Sequence, residues 1–469
     1  MVDLDGTLIR SDTLYESFWA ATAEDWRTPL AALAALFRGR AALKRALAAR
    51  AHLDPAALPY EETVLARIRD WRAEGGRVAL VSAADRHLAE AVAAHLRLFD
   101  EVHGSDGHIN LKGARKARLL AERYGAQGYV YIGDSAADLP VWRQAAQIVT
   151  IGASPALARR VDRLGRPCEH LAPARGGLPW RAMLAELRPH QWLKNVLVFV
   201  PMLAGHALHP AALAGAGLAF VAFCLVSSAG YVLNDLMDLA ADRSHPRKRH
   251  RPLASGRLPI ALGTAMVPAL LLAGLGLAVS CGGALLAALA GYFALTTLYS
   301  VSLKRHPVAD IGTLAVLYTL RIIAGGVATG IVPSVWLLAF SMFFFFALAA
   351  VKRLAELVDL ARRGDARARR RGYLVDDLPL VAQMTTASGY ISVLVLALYL
   401  NSPAVQELYG APWLLWGICL VLMYWISRMV LVAYRGQMHD DPVIYAVREP
   451  KSLVCILLAA LCALGAALL

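Results

Sequence analysis

The sequence predicts two architectures in one chain: a doubly wound α/β domain with a helical cap, then an all-α bundle of nine transmembrane helices. Three observations carry this reading. The chain has 469 residues, 58% of them hydrophobic, more than one typical domain holds. Charge is unevenly spread, with 24 Lys+Arg against 21 Asp+Glu in residues 1–180 but 24 against 14 in residues 181–469, where it sits between long uncharged runs. Strand-like and helical stretches alternate only in the first third, the pattern of a parallel sheet covered on both faces.

The membrane half follows from length and loop charge. A spanning helix needs roughly 17–25 mainly apolar residues, and the runs that qualify lie near 192–208, 212–234, 259–280, 283–302, 308–328, 334–352, 381–400, 412–434 and 452–469. Lys and Arg concentrate in every second loop (Arg243 to Arg257; Lys304 and Arg305; Lys352 to Arg371; Arg435 to Lys451), while the alternate loops hold a single charge, Glu407. By the positive-inside rule the basic loops and the N-terminal domain are cytoplasmic, in the inner membrane, and the C-terminus is outside. The formal charge of +13 is therefore topological, which argues against nucleic-acid binding. Six scattered cysteines without a CxxC or His-spaced pair indicate neither a disulfide framework nor a zinc site.

In the first domain, "MVDLDGTL" places Asp3 and Asp5 at the end of a strand, where two carboxylates address one phosphate: Asp3 as nucleophile, Asp5 as general acid and base. Ser82 ends a second strand and Lys112 follows in "NLKGARKARLL"; both bind the transferring phosphoryl group. Asp134 and Asp138 in "GDSAAD" complete and support Mg²⁺ coordination beside Asp3. These four pieces resemble the haloacid-dehalogenase (HAD) phosphatase superfamily, and the resemblance implies a cap over residues 13–72. Lys116 competes with Lys112, which fits the family's Lys-Gly context better. Only Met1 and Val2 precede Asp3, fewer than a strand requires, so the strand is expected to begin upstream. The domain is assigned to 1–164 and a Gly/Pro-rich linker to 165–181.

At the cytoplasmic end of the second span, "YVLNDLMDLAADRSHPRKRHRPLASG" repeats Asn234, Asp238 and Asp242 every four residues, with Asp235 three before Asp238. Carboxylates stacked on one helical face repel, and Mg²⁺ with substrate phosphate oxygens relieves them. Lys248, Arg249 and Arg251 add positive charge for a polyphosphate. The stretch resembles the first aspartate-rich motif of the UbiA superfamily of intramembrane prenyltransferases, over residues 182–469. Its "HPRKRHRPLASG" tail and "LRPHQWLKN" at 187–195 look most like the decaprenyl-phosphate phosphoribosyltransferase branch, and that implies phosphoribosyl diphosphate and a polyprenyl phosphate as substrates.

The second acidic motif is incomplete. Asp310 is followed four residues on by Leu314, which weakens the case for a prenyl diphosphate gripped by two acidic motifs. Asp310 and Arg321, about three turns apart, face the same way. A charge such as Arg321 within the bilayer is functional by default, unless it pairs with a carboxylate such as Glu356. Lys194, Asn195, Lys304 and Lys352 are further phosphate contacts, and Asp440 with Asp441 a second cation site or a loop cap. The leading expectation is transfer of 5-phosphoribose to a polyprenyl phosphate, with the HAD domain removing the 5-phosphate. The alternatives are an aromatic polyprenyltransferase acting on an acceptor such as 4-hydroxybenzoate, a membrane-anchored phosphatase, or a transporter; the last would carry inverted repeats, and the sequence has none evident.

Overall fold

The computed structural model describes residues 1–106, 109–173, 179–364, 372–438 and 441–469. The chain forms two compact units, one of Met1–Leu187 with Tyr231–Pro268, the other of Arg188–Gly230 with Ala269–Leu469. The acid-rich stretch and its basic tail, assigned from sequence to the membrane half, therefore pack in the same unit as the N-terminal α/β region.

In the first unit five strands run parallel: β1 (Ala79–Asp85), β2 (Glu101–Ser105), β3 (Val130–Gly133), β4 (Gln147–Ile151) and β5 (Cys168–Leu171). Residues 1–3 lie between β1 and β3, where Val2 bridges to both Leu80 and Ile132. The Asp3 N–H donates to the Ile132 carbonyl at 3.0 Å, which fixes the direction in which the Asp3 carboxylate leaves the sheet. Parallel sheets must be covered on both faces, and the period-two alternation supplies two cores. Val2, Leu4, Leu80, Ile132 and Val149 enter one; Ala79, Val81, Tyr131, Ile148 and Trp142 enter the other.

The insert after the first motif is smaller than expected. Helices Thr13–Glu24, Thr28–Leu36 and Arg40–Ala48 form the cap, but Glu62–Ala73 gives Val64, Leu65 and Ile68 to the sheet core and so belongs to the body of the domain. β5 likewise lies inside the stretch read as linker: four residues pair with β4 before the chain reaches 174–178, which are outside the described residues. Its flanking Gly and Pro masked so short a strand.

A buried ion pair ties the cap helix Thr13–Glu24 to the segment 231–268. Glu16 accepts from Arg243 Nη2 at 2.6 Å and from Nη1 at 3.0 Å, with both side chains buried. Three residues on, one helical turn away, Trp19 Nε1 donates to Thr264 Oγ1 at 2.8 Å.

Among the described residues, eight helices are long and apolar enough to cross a membrane: Pro210–Met237, Ile260–Ser280, Gly283–Val301, Ala309–Thr329, Val335–Arg363, Val375–Leu400, Pro412–Tyr434 and Pro450–Leu468. The ninth expected crossing, 192–208, is built differently, as a 3₁₀ helix Pro189–Phe199 running into a short α-helix Val200–Ala204. Pro201 has no N–H to continue an α-helical ladder through that point. Within the second unit Ala309–Thr329 is the central helix, with 61% of its apolar window buried, against 17% for Pro450–Leu468, whose Leu457, Leu461 and Leu464 are exposed as a lipid-facing surface is. Gly325 permits the central helix to touch the 3₁₀ segment, because an added Cβ would meet the Val198 carbonyl oxygen at 2.0 Å.

The latch gives a direct expectation. Arg243→Met leaves Glu16 buried without its cation and lowers stability by about 3–5 kcal/mol, whereas Glu16→Leu combined with Arg243→Met recovers most of the loss. Thermal denaturation of the full chain in detergent checks both; equal losses in the single and double variants would refute the latch.

Candidate active sites

The first site grows from the turn after residues 1–3. Gly6 has φ +71°, and a Cβ there would lie 2.4 Å from Asp134 Oδ2, so glycine is what allows the two loops to meet. Carboxylate oxygens of Asp3, Asp134 and Asp138 then all lie within 4.8 Å of one another. Burial, reinforced by Asp3 and Asp138, pushes Asp134 up to about 7, and burial with Asp3 raises Asp138 as well. Three crowded hard oxygen donors fit a divalent cation such as Mg²⁺.

The lysine beside Asp3 is Lys116. Its Nζ donates to Asp3 Oδ2 and to the Tyr131 hydroxyl, each at 2.7 Å, and stands 3.6 Å from Asp138 Oδ1. Burial would lower this ammonium, but Asp3 and Asp138 outweigh it and hold the pKa above its ordinary value. This corrects the expectation for Lys112, which precedes the helix Ala114–Tyr124 and is exposed, whereas Lys116 lies in the first turn with its side chain in the core.

Asp5 accepts the Thr13 N–H at 2.7 Å. Burial, followed by the nearby Asp12, pushes it up to about 7. Ser82 is fully buried at β1, its Oγ accepting the Ala84 N–H at 3.0 Å. Sequence reasoning missed Lys44. From the cap helix Arg40–Ala48 it donates to the Ala83 carbonyl at 2.6 Å and to Asn110 Oδ1 at 3.2 Å; burial lowers its pKa, with Asp5 and Asp12 opposing. In "RAALKRALA" that lysine looks like any solvated helical charge.

The aspartate-rich stretch shows a different balance. Helix Pro210–Met237 breaks at Asp238 and a short helix, Leu239–Ser244, follows; the N–H groups of Asp238 and Asp242 still donate four residues back, at 2.9 and 2.8 Å, so the expected spacing persists across the break. Asp235 and Asp242, both buried, share one guanidinium: Arg251 Nη1 lies 3.0 Å from Asp235 Oδ1 and 2.5 Å from Asp242 Oδ2. Lys248 Nζ is 3.7 Å from Asp242 Oδ1. Arg251, expected to face a diphosphate, instead neutralises the acids, while Lys248 and Arg249 are exposed. Burial still raises Asp242, against the pull of Arg251 and with Asp235 adding to it. Asn234 and Asp238 are half-buried. Three acids and an amide against one bridging arginine remain a donor set that suits a hard cation.

In the second unit Arg321 is buried among neutral acceptors and rings. Nε donates to Asn195 Oδ1 at 2.9 Å, Nη2 to the Tyr292 hydroxyl at 2.8 Å and Nη1 to the Leu317 carbonyl at 2.5 Å, with Tyr292 and Tyr318 rings 4.8 and 5.5 Å away. Asn195 is oriented in turn by Ser227 Oγ, 3.2 Å from its Nδ2. Glu356, the carboxylate considered for Arg321, pairs with Arg353. Arg353 also lies 2.7 Å from Asp310 Oδ2, and the Tyr299 hydroxyl donates to Asp310 Oδ1 at 2.8 Å. Asp310 is thus a buried counter-ion, which corrects its assignment as a substrate contact: without an acid at 314, the remaining carboxylate is neutralised internally.

Lys194 and Lys352 converge on Asp441 Oδ2, at 2.8 and 3.2 Å. Burial opposes ionisation of Asp441, but the two lysines outweigh it and hold the carboxyl well below the usual range. Asp440 lies outside the described residues, and Lys304 is half-buried in the 3₁₀ turn Leu303–Arg305.

A parallel α/β domain with a DxDGT turn, continuous with a helical bundle rich in spans, defines a membrane-embedded transferase joined to a hydrolase. The chain belongs to the UbiA prenyltransferase family, which it matches over residues 196–448, and residues 1–143 match haloacid dehalogenase-like hydrolase. It is similar to uncharacterized protein y4nM of Sinorhizobium fredii, 38% identical over 452 residues, 96% of this chain and 87% of that one. Nodulation protein NoeC of Azorhizobium caulinodans is 42% identical over 280 residues, 60% of this chain and 91% of that one. Decaprenyl-phosphate phosphoribosyltransferase of Corynebacterium glutamicum is 41% identical over 187 residues, 39% of this chain and 56% of that one.

Two measurements test the first site. Lys116→Ala lowers phosphatase turnover by about 10²–10³-fold, the scale of losing a charged stabiliser in a closed site, while Lys112→Ala changes it by less than about tenfold; a reversed order would reinstate Lys112. Because Asp134 holds its proton up to about 7, Mg²⁺ must displace it. Affinity for Mg²⁺ therefore rises with pH up to about 7 and levels off above, with proton uptake by a weakly buffered solution as the direct readout; a flat profile between pH 5 and 7 would contradict the assignment.

Proposed function

We propose that the chain transfers 5-phosphoribose from phosphoribosyl diphosphate to a polyprenyl phosphate and then removes the 5-phosphate of the product. The observation that carries this reading is the acid-rich stretch with its arginine-rich tail, packed in one compact unit with a phosphatase-type site. Identity with decaprenyl-phosphate phosphoribosyltransferases in the transferase half supports the choice of donor, and the neutralisation of Asp310 by Arg353 fits a site that does not grip a prenyl diphosphate through two acidic motifs.

In the transfer step the bond from the anomeric carbon to the diphosphate breaks and a bond to the lipid phosphate oxygen forms. That oxygen is already a nucleophile, so no protein base is required. Asn234, Asp235, Asp238 and Asp242 would hold Mg²⁺, which neutralises the departing diphosphate. Lys248 and Arg249 meet the donor's remaining charge, and Arg321, Lys194, Lys304 and Lys352 are the candidates for phosphate of either substrate.

In the second step Asp3 attacks the 5-phosphate, the phosphorus–oxygen bond to C5 breaks, and Asp5 donates its proton to the departing alkoxide. Asp5 then takes a proton from the water that hydrolyses the aspartyl phosphate. Lys116 holds the Asp3 carboxylate in place, Ser82 meets the phosphoryl oxygens, and Asp3, Asp134 and Asp138 would hold Mg²⁺ for charge neutralisation. The Lys and Arg of the alternate loops support the reading that both reactions face the cytoplasm.

Purified full-length protein given Mg²⁺, phosphoribosyl diphosphate and polyprenyl phosphate is expected to yield polyprenyl-phosphoryl-ribose by mass spectrometry. Asp238→Ala reduces transfer by at least about 10²-fold while release of phosphate from a small phosphomonoester persists, and Asp3→Asn accumulates the lipid that still bears its 5-phosphate. Prenylation of an aromatic acceptor without any ribosylated lipid would overturn the transfer, and unchanged phosphate release by Asp3→Asn would overturn the hydrolysis.

A further inference from the structure

Far in sequence from the DxDGT turn, the edge of the sheet gathers three side chains of mixed chemistry. Asp162 ends the helix Pro155–Asp162, and Cys168 and His170 lie two residues apart on β5, so both project from one face of the strand. Cys168 Sγ is 3.2 Å from Asp162 Oδ1, His170 Nε2 is 3.1 Å from the same oxygen, and Sγ to Nε2 is 3.9 Å. Zinc bonds of about 2.3 Å to sulfur and about 2.0–2.1 Å to nitrogen and oxygen, at the tetrahedral angle, imply ligand–ligand edges of roughly 3.4–3.6 Å. All three measured edges fall within about 0.4 Å of that face.

The imidazole is also oriented as a ligand is. His170 Nδ1 lies 2.7 Å from Oγ1 of Thr150, a buried residue on β4 that is the register partner of His170. That hydrogen bond occupies Nδ1 and leaves Nε2 at the cluster, the arrangement by which outer partners fix metal-bound histidines. The set has no CxxC or paired histidines to mark it in the sequence: its spacing is Asp, five residues, Cys, one residue, His.

We propose that Asp162, Cys168 and His170 bind a Zn²⁺-class metal ion with one coordination position left to solvent, at a site separate from the all-oxygen cluster of Asp3, Asp134 and Asp138. Sulfur and nitrogen donors select a borderline-soft ion over Mg²⁺. Binding displaces the Cys168 thiol proton to solvent and joins the last helix of the domain to its edge strand, where four residues of β5 otherwise hold the sheet margin.

The probe is Co²⁺, added to full-length protein in detergent with excess Mg²⁺ present to fill oxygen-only sites. The expected result is one equivalent of tightly bound Co²⁺ with intense visible bands of tetrahedral coordination and a near-ultraviolet sulfur-to-cobalt band. Cys168→Ser abolishes the sulfur band, and His170→Ala and Thr150→Val each weaken binding by about 10–100-fold. These side chains are exposed or replaced by a near-isostere, so circular dichroism is expected to be unchanged. Binding without a sulfur band, or a sulfur band that survives in Cys168→Ser, overturns the proposal.

Discussion

Both candidate sites rest on carboxylates held closer together, and drier, than they would be in water. In the N-terminal domain Asp3 and Asp138 share one lysine, with Asp134 beside them; in the acid-rich stretch Asp235 and Asp242 share one arginine. Each cation is itself buried or half-buried, so neither cluster is neutralised by solvent. Such crowding destabilises a fold unless something positive joins it, and the residual negative charge makes each cluster a donor set that suits a divalent cation.

The second unit solves the converse problem. Arg321 and Arg353 sit in apolar surroundings where a charge is costly. Arg353 is matched by Asp310 and Glu356, ion pairs that tie two neighbouring helices, Ala309–Thr329 and Val335–Arg363. Arg321 is held by an amide oxygen, a phenol and a carbonyl, flanked by aromatic rings.

What the sequence disclosed follows from this physics. Motifs whose chemistry needs fixed local spacing were legible: Asp3 with Asp5, Asp134 with Asp138, and the acidic series from Asn234 to Asp242. The succession of strand-like and helical stretches gave the parallel sheet, and apolar length gave eight helices able to cross a membrane. Features set by distant packing were not legible. Lys112 and Lys116 differ by four residues in sequence, and only the way the helix Ala114–Tyr124 docks on the sheet turns the second into the core. Lys44, the pairing of Arg251 with its own acids, and Arg353 with Asp310 depend on contacts no local pattern encodes. The segment 192–208 has the composition of a span, but it folds as a 3₁₀ helix followed by a short α-helix, and Pro201 has no N–H to join the two in one α-helical ladder.

The Glu16–Arg243 pair joins residues 227 apart in the chain, and this separation bears on how the protein is made. At roughly 5–20 residues per second, about 10–45 s pass between synthesis of the cap helix and emergence of its arginine. Meanwhile Glu16 and Trp19 lack the partners that bury them, and the first long apolar helix, Pro210–Met237, must be threaded before they arrive. The cap of the hydrolase consequently reaches its final packing only after the membrane segment has begun to insert. Completion of one domain is timed by the biogenesis of the other, so a ribosome stalled before residue 243 leaves behind a hydrolase domain whose cap lacks the arginine that pairs with Glu16.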